Sequence, residues 1–311
     1  MFREYENKIL ILCIILFCVI LFYTIYSYVF RNIDNDEKKI YKYFYLPKHE
    51  ENNTYELPKT IYCYWDNYND DEFIKMFINN WKSKLSPDWK IVVLHKDNVN
   101  EYTNGKMLKY KDLDSTKYSD FLRLLLLKEH GGVWIDISTI LINGDFLDKY
   151  HNEMIANKND CLLYEFKNRT VQQKYPYFES WFIMAPKNSK LINDWFYTLD
   201  KSFEIGFQKF KKEILIDSGM DLSNTIGYNE DIYLLIHACI NFLLYKDQQY
   251  NILIKDAGES NFKFQNEAEW DNEKLSKILC EPLNSEGIYS IKLTGSQRNY
   301  LRNKDCLKNI L

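Results

Sequence analysis

The 311-residue sequence predicts an α/β domain with a mostly parallel central sheet, preceded by one N-terminal transmembrane helix. Two observations support this prediction. Residues 9–30 contain no charged side chain and are long enough to cross a hydrocarbon core of roughly 30 Å. From residue 57 onward, short apolar runs rich in β-branched residues alternate with amphipathic runs, as in βαβ units. We therefore expect a short tail (1–8), an anchor (9–30), a polar stem (31–56) and one large domain (57–311).

The apolar segment 9–30 favours a retained single-pass anchor in the lipid bilayer over a cleaved signal peptide. A signal peptide has an apolar region of about 7–15 residues followed by a small-residue cleavage site, and no such site follows here. Basic residues flank both sides, so the positive-inside rule does not favour a cytoplasmic N-terminus. In a eukaryotic host, the large domain is expected in the Golgi or secretory-pathway lumen, where the sequons at Asn52 and Asn168 would be accessible.

Composition and missing motifs exclude several function classes. With 40 Lys and Arg against 44 Asp and Glu, the chain carries a formal charge of −4, and its basic residues are scattered, which argues against nucleic acid as a partner. The sequence has no GxGxxG, P-loop, GxSxG, HExxH or kinase motif. Seven cysteines without a CxxC pair argue against a disulfide framework, although Cys63, Cys161, Cys280 and Cys306 could pair in an oxidising lumen. Five histidines, none paired at ligand spacing, argue against a zinc enzyme.

The first elements of the large domain read as strand, helix and strand. Thr60–Trp65 is predicted to be a short buried strand. An acidic start at Asp70 and Asp71 opens a helix that continues to Lys84, and after a Pro-containing turn Trp89–Leu94 forms a second strand. This order is the βαβ arrangement of a parallel sheet.

The most informative stretch is Thr116–Asn143. Its first half predicts an apolar helix with Asp120 and Arg123 one turn apart, and two consecutive glycines end that helix. Val133–Ile142 then predicts a strand interrupted by one charge, Asp136. A carboxylate in an apolar strand is costly without a partner, and ligands of α/β sheets bind at the carboxyl ends of strands.

Four further elements are predicted before residue 247, and the last third is expected to contain short strand-like pieces between polar loops. The four are strands at Cys161–Phe166 and Ser180–Ala185 and helices at Ser189–Lys201 and Asp231–Tyr245. An acid at a strand end, a charged helix turn and many aromatic residues together suit a sugar nucleotide, with a divalent cation on its diphosphate.

Several motifs in order then resemble a known family. SDFLRLLLLKEHGGVWIDIST resembles the S-D-x-x-R…Y-G-G-I-W-x-D-x-[DT] pattern of capsular polysaccharide synthesis proteins. It is also similar to the DXD sugar-binding glycosyltransferases related to the α-mannosyltransferases of the Golgi. LPKTIYCYW looks like the opening I-P-K-x-I-x-x-x-W, and NNWKSKLSPDWKIVVL fits the helix, turn and strand that follow. The resemblance implies a Rossmann-like GT-A fold and a hexosyltransferase.

The resemblance also implies roles for individual residues. Asp136 matches the first acid of the DXD motif, which contacts the metal on the donor diphosphate or the donor itself, and Ser138 stands at the third position instead of Asp. Mn²⁺ or Mg²⁺ is the expected cofactor, with Asp136 and Ser138 as its ligands. Asp120 and Arg123 match the positions placed against the nucleotide and donor sugar, and Trp65 matches a Trp beside the base.

A second catalytic acid is sought at Glu230 and Asp231, just before an apolar helix, although helix capping explains acids there equally well. Lys292 and Arg298 lie in a segment where related sugar transferases contact the metal or phosphate. Each of these residues also has a structural alternative, such as a surface ion pair for Asp120 with Arg123 or a place in the core for Trp65.

The residues and the resemblance together predict a membrane-anchored, metal-assisted glycosyltransferase that moves a hexose from a nucleotide-sugar donor to a glycan or polysaccharide acceptor. Retention of the anomeric configuration is implied by the resemblance alone. Two alternatives remain open. One is a catalytically silent sugar-binding or scaffold protein on the same fold, which the missing second acid of the motif supports. The other is a nucleotide-sugar hydrolase, for which the sequence shows no dedicated motif.

Overall fold

The computed structural model describes residues 14–27, 46, 54–225, 232–246, 249–283, 285–304 and 307. The chain divides into two units, Met1–Pro47 and Lys48–Leu311. In the first unit, residues 14–27 form helix α1. No helix within the described part of the chain is both long and apolar enough to cross a membrane. The remaining residues of the predicted span, 9–13 and 28–30, lie outside the described residues, so the anchor stays a prediction.

The second unit is a mixed α/β domain. Its described strands are β1 (Thr60–Tyr64), β2 (Lys90–Leu94), β3 (Gly132–Ile135), β4 (Thr139–Leu141), β5 (Cys161–Glu165), β6 (Phe178–Ala185), β7 (Ile252–Asp256) and β8 (Ser290–Lys292). Its described helices are α2 (Glu72–Lys84), α3 (Val99–Thr103), α4 (Ser115–His130), α5 (Asp145–Asn157), α6 (Lys190–Ile205), α7 (Phe207–Phe210), α8 (Leu235–Tyr245), α9 (Lys263–Glu267), α10 (Asn272–Cys280) and α11 (Gly295–Leu301).

Six strands form the central sheet in the order β2-β1-β3-β6-β5-β7. The pairs β1–β2, β1–β3 and β5–β7 are parallel, whereas β6 runs antiparallel to both of its neighbours. The predicted mostly parallel sheet is therefore confirmed. Since β6 points the opposite way, its first residues lie at the same sheet edge as the last residues of β3, where Phe182 faces Ile135.

Helix α2 forms as its sequence predicts. The Asp71 carboxylate accepts a hydrogen bond from the backbone N–H of Ile74 at 3.2 Å and so caps the first turn. Ile74, Phe77 and Trp81 recur at helical spacing and are fully buried against the core. The Trp81 indole N–H donates to the carbonyl of Thr139 at 2.6 Å, which ties α2 to β4.

Two glycines make the sharp connection between α4 and β3. Gly131 has φ +67° and Gly132 has φ +108°, values that residues with a Cβ rarely adopt. A Cβ on Gly131 would lie 2.4 Å from the backbone nitrogen of Lys187, and one on Gly132 would lie 2.6 Å from the carbonyl oxygen of Thr60. The chain therefore passes too close to its neighbours for any side chain at these positions.

The prediction of one continuous strand over Val133–Ile142 is wrong, because the structure has two short strands there. Strand β3 ends at Ile135, the chain turns at Ile137 and Ser138, and β4 begins at Thr139. Strand β4 leaves the central sheet and pairs antiparallel with β8. Asp136 therefore does not lie inside a strand. It lies directly after the carboxyl end of β3, where its side chain lines a cleft.

The last third of the chain is more helical than its sequence predicts. Three helices, α9, α10 and α11, fill a region expected to hold strand-like pieces and loops. Each is short, so the apolar periodicity extends over too few turns to stand out. Helix α11 nevertheless begins with a capping box, in which Thr294 and Gln297 exchange hydrogen bonds.

Gly131→Ala tests the close approach at the end of α4. The variant should lose about 3 kcal/mol or more of unfolding free energy, because a left-handed Ala costs about 1–2 kcal/mol and the Lys187 backbone must also move. Gly287→Ala is the matched control, since Gly287 has a similar φ of +75° and a Cβ added there would meet nothing within 4 Å. Chemical denaturation of both variants measures the difference; equal losses would contradict the steric explanation.

Candidate active site

A cleft of about 1100 Å³ opens at the carboxyl ends of β1 and β3. Trp65 follows β1 and Asp136 follows β3, so parallel strands bring both to the same edge. The first half of β6 adds Glu179 to this edge from the opposite direction. The lining also includes Asp120, Arg123, Ser138, Lys292 and Arg298. Seven of the predicted site residues therefore share one cavity.

Asp136 is held by groups from three directions. The Trp134 indole N–H donates to its Oδ1 at 2.9 Å, the Arg123 guanidinium lies 3.6 Å from Oδ1, and the Lys292 ammonium lies 3.2 Å from Oδ2. Burial would raise the pKa of this carboxyl, but the charges of Lys292 and Arg123 hold its pKa below the ordinary value. Asp136 is therefore an anion with 28% of its side chain still exposed to the cleft.

Arg123 uses its hydrogen-bond donors within the protein. Its Nη1 donates to the carbonyl and hydroxyl oxygens of Ser180, each at 2.7 Å, and its Nε donates to the carbonyl of Ser119 at 3.2 Å. Its Nη2 lies 3.1 Å from the Asp120 carboxylate and donates to the Ser119 hydroxyl at 3.0 Å. The side chain is only 5% exposed. This geometry favours a role for Arg123 in positioning Asp136, rather than the direct contact with the nucleotide and donor sugar that the resemblance implies.

Asp120 is the second carboxyl of this network. Burial raises its pKa to about 7, while the neighbouring Arg123 opposes that shift. The surface ion pair that the sequence left open as an alternative is excluded, because both side chains are nearly inaccessible. The Asp120–Arg123 pair instead belongs to the wall of the cleft.

Lys292 lies between the two residues predicted to bind a metal ion. Its ammonium donates to the Ser138 hydroxyl at 3.0 Å and to the Leu293 carbonyl at 2.9 Å, in addition to its contact with Asp136. The Ser138 hydroxyl in turn donates to the Leu293 carbonyl at 3.1 Å, and Ser138 is 2% exposed. Burial lowers the pKa of Lys292, and Asp136 opposes that shift.

These residues fit a divalent cation poorly. Mg²⁺ and Mn²⁺ need several oxygen ligands, and here an ammonium stands between the one carboxylate and the one hydroxyl that were expected to supply them. At an effective dielectric of about 20, two unit charges 4 Å apart repel by about 4 kcal/mol, and a divalent ion beside the ammonium doubles that figure. Within the described residues, no group of three or more His, Cys, Asp and Glu side chains is arranged to hold a metal.

Trp65 and Arg298 form a second wall of the cleft. The Arg298 guanidinium lies over the Trp65 ring, 4.6 Å from its centroid, and the Trp65 indole N–H donates to Asp71 at 3.2 Å. The Nε of Arg298 is buried without a hydrogen-bond partner among the described residues. Trp65 is partly buried against the core and lines the cleft, so the part of its ring that Arg298 leaves exposed can contact a base or a sugar ring.

Of the predicted acids, Glu230 and Asp231 lie outside the described residues, and their roles stay predictions. The structure instead brings a carboxyl that sequence reasoning missed, Glu179, into the cleft. Burial raises the pKa of Glu179 to about 7, while Lys292 and Arg169 oppose that shift. Glu179 is the only acid of β6 and lies one residue before the strand predicted from the sequence. A charged residue next to an apolar run was therefore the sequence signal that could have identified it.

His237 adds an uncharged polar group to the same cavity. It stacks on Tyr177 with 4.8 Å between ring centroids, and burial lowers its pKa to about 3, so the imidazole is neutral. Its Nδ1 is buried without a hydrogen-bond partner among the residues described. The indole N–H of Trp181 is likewise buried without a hydrogen-bond partner among the described residues. Both groups line the cleft and can hydrogen-bond a ligand that enters it.

A family model described as "Capsular polysaccharide synthesis protein" matches residues 22–281. The chain belongs to this family. The matched range contains β1 to β7, and therefore the residues of the cleft from Trp65 to His237. The family predicted from the motifs around Asp136 is thereby confirmed.

This member of the capsular polysaccharide synthesis family has a curated relative, O-glycosyltransferase braB of Annulohypoxylon truncatum, with 22% identity over 81% of this chain and 68% of the relative. Among solved structures, the PaToxG glycosyltransferase matches with 17% identity and a TM-score of 0.34, over 89% of this chain and 94% of that one. The apo form of glycosyltransferase GlyE of Streptococcus pneumoniae TIGR4 matches with 12% identity and a TM-score of 0.38, over 82% and 62%. The enzyme class predicted from the sequence, a glycosyltransferase, agrees with the family and with the name of the curated relative, and it is confirmed at that level.

Arg123→Met tests the pairing of Arg123 with Asp136. The variant should lose about 3–5 kcal/mol of unfolding free energy, because it leaves two carboxylates in the cleft wall without their shared cation. Adding Asp120→Asn should recover part of that loss, since it removes one of the two. Denaturant unfolding measures both. A loss below about 1 kcal/mol for Arg123→Met would show that the guanidinium is not needed to compensate the buried charge.

Proposed function

We propose that this protein transfers a hexose from a nucleotide-sugar donor to the hydroxyl group of a glycan or polysaccharide acceptor. The observation that carries the proposal is Asp136, a fixed anion at the carboxyl end of β3, in a cleft that also presents an arginine whose Nε lacks a partner among the described residues and several aromatic faces. Aromatic rings bind the flat faces of bases and sugars, and guanidinium groups bind phosphates. This set of groups matches the parts of a nucleotide-sugar.

The groups in the cleft suggest how the donor is arranged. Trp65, beneath the Arg298 guanidinium, offers the exposed part of its ring to the base or the sugar, and Arg298, whose Nε has no partner among the described residues, can donate to the diphosphate. Asp136 keeps 28% of its side chain accessible and can accept hydrogen bonds from donor hydroxyl groups. In this arrangement Asp120 and Arg123 act indirectly, by holding Asp136 in place.

Glu179 is the acid that we propose to act on the acceptor. No hydrogen bond joins its carboxyl to the described residues, and a base with a pKa near 7 is suited to proton transfer at neutral pH. The acceptor oxygen forms a bond to the anomeric carbon, the bond from that carbon to the diphosphate breaks, and the nucleoside diphosphate leaves with the bonding electrons. The acceptor proton passes to Glu179. Retention of the anomeric configuration, which the resemblance implies, is part of the proposal and requires the acceptor oxygen to attack the face of the sugar that the diphosphate leaves.

Anchoring in a membrane through residues 9–30 also belongs to this proposal. The support is the uncharged composition of these 22 residues, of which residues 14–27 are helical with exposed apolar side chains. An anchor would keep the enzyme near a membrane-bound or secreted polysaccharide acceptor.

A donor-turnover screen tests the proposed function. The protein is incubated with UDP-, GDP- and CMP-sugars, with and without oligosaccharide acceptors, and released nucleotide and glycosylated product are measured. At least one donor should be consumed, with faster release in the presence of an acceptor, and Asp136→Ala should abolish the reaction while leaving thermal unfolding cooperative. Binding without turnover would favour a silent sugar-binding protein, and turnover indifferent to every acceptor would favour a hydrolase.

Glu179→Gln tests the proposed base. The rate of the unmodified protein should rise as pH rises through about 7, whereas the variant should be slower by about 10²–10⁴-fold and lose this rise. A carboxyl whose pKa is raised on folding destabilises the protein increasingly between pH 4.5 and about 7. The midpoint of thermal unfolding of the variant should therefore exceed that of the unmodified protein above pH 7 and not near pH 4.

Glu165→Gln is the matched control, because Glu165 lies on the neighbouring strand β5, outside the cleft lining, and pairs with Phe178. Its turnover and pH profile should remain near those of the unmodified protein. A Glu179→Gln variant with an unchanged pH profile would remove Glu179 from the proposed mechanism.

A further inference from the structure

Two basic side chains of residues 285–304 line the cleft together with Asp136, the carboxylate that was expected to bind a metal ion. Lys292 is the last residue of β8, and its ammonium lies 3.2 Å from Asp136. Arg298 lies in α11, where burial lowers the pKa of its guanidinium and the charge of the same carboxylate opposes that shift. Both side chains line the cleft, and together they carry two positive charges, the same charge as a divalent cation.

We propose that Lys292 and Arg298 replace the divalent cation, so that the donor diphosphate binds to this protein without a metal ion. The inference rests on the proposed function, since it concerns how that donor is held. Lys292 replaces the contacts that the ion would make with the protein, and Arg298 replaces the contact that it would make with the phosphate groups.

Lys292 takes the place of the ion because it already bridges the two expected ligands. An ammonium has three hydrogens, and here its contacts are the Asp136 carboxylate, the Ser138 hydroxyl and the Leu293 carbonyl. All three contacts are buried or nearly so, since the Lys292 side chain is 11% exposed. This fixed charge neutralises Asp136 and orients it, as a bound cation would, without being able to dissociate.

Arg298 supplies the contact to phosphate. Its guanidinium is planar, is held over the Trp65 ring and makes no hydrogen bond to the described residues, so its forked donors are available. Guanidinium groups bind phosphate oxygens in pairs of parallel hydrogen bonds. A buried Nε without a partner is costly, and a ligand that accepts from it removes that cost.

The serine at position 138 fits this division of roles. A carboxylate there would face the Asp136 carboxylate across one ammonium and leave a net negative pair, whereas the Ser138 hydroxyl accepts from Lys292 and donates to Leu293 without adding charge. The serine in place of the second acid and the lysine beside Asp136 are therefore compatible with each other, whereas a second acid would leave an uncompensated negative charge.

Isothermal titration with UDP and with GDP, each in EDTA and in Mn²⁺, tests the proposal on the full chain. At least one nucleoside diphosphate should bind with a Kd that agrees within about twofold between the two conditions. Binding that weakens by about tenfold or more in EDTA would overturn the metal-free site and leave the proposed function standing. A failure of both nucleotides to bind in either condition would count against the nucleotide-sugar transferase as well.

Variants separate the two basic residues. Arg298→Gln should weaken binding by about tenfold or more in both conditions, since a charge-assisted hydrogen bond is lost. Lys292→Met should weaken binding in EDTA and recover part of it in Mn²⁺, because Asp136 then becomes available to the ion. Lys255→Met is the matched control: Lys255 pairs with Glu153 at 2.9 Å, is 23% exposed and lies outside the cleft, and its Kd should not change.

An unchanged Kd in Arg298→Gln would overturn the proposal whatever the behaviour of Lys292→Met. This matters because removal of Lys292 exposes the Asp136 charge and can unfold the protein, whereas Arg298 has no hydrogen-bond partner in the described protein to lose. A thermal unfolding scan of each variant accompanies the titrations.

Discussion

The arrangement of this domain depends on one carboxylate that the central sheet delivers into the cleft. Removing a carboxylate from water costs several kcal/mol unless opposite charge and hydrogen bonds replace the lost solvation. Asp136 receives that replacement from α4 through Arg123 and from β8 through Lys292, two elements separated by the whole middle of the chain. Arg123 also bonds Ser180 on β6. A single partly buried charge thus connects a helix, a central strand and the small second sheet.

This network has a chemical consequence for the cleft. Asp136 stays ionised because cations surround it, whereas burial raises the pKa values of Asp120 and Glu179 to about 7. Carboxyl groups of one cavity are thereby separated into a permanent anion and groups able to exchange protons near neutrality. Of the latter, Asp120 is occupied by Arg123, and only Glu179 combines a raised pKa with a carboxyl that no hydrogen bond engages among the described residues.

The sequence predicts the fold best where structure depends on residues that are close together in the chain. The capped helix α2, the helix α4 with its two glycines and the alternation that builds a parallel sheet are all determined by residues close together in the chain, and the strand ends around Trp65 and Asp136 followed from that alternation. The sequence does not reveal the break between β3 and β4, because VWIDISTILI is rich in β-branched residues on both sides of it, and only pairing with β8 shows where the chain leaves the central sheet. Lys292 was placed near the diphosphate by analogy, but its contact with Ser138 joins residues 154 positions apart and has no local signal. Glu179 was not singled out because it lies one residue before the predicted strand Ser180–Ala185, next to an apolar run that reads as core.

The pairing of β4 with β8 also sets the order in which the cleft can be completed. Thr139 faces Lys292 across this two-stranded sheet, so the loop closed by the pair spans about half of the chain. Contacts of such long sequence separation form late, because the entropy of closing the loop must be overcome before they contribute. During synthesis Asp136 would leave the ribosome long before Lys292. The nascent domain therefore passes through a stage in which Asp136 has been synthesised but still lacks one of its two cations, and the cleft is complete only once β8 and α11 have been added.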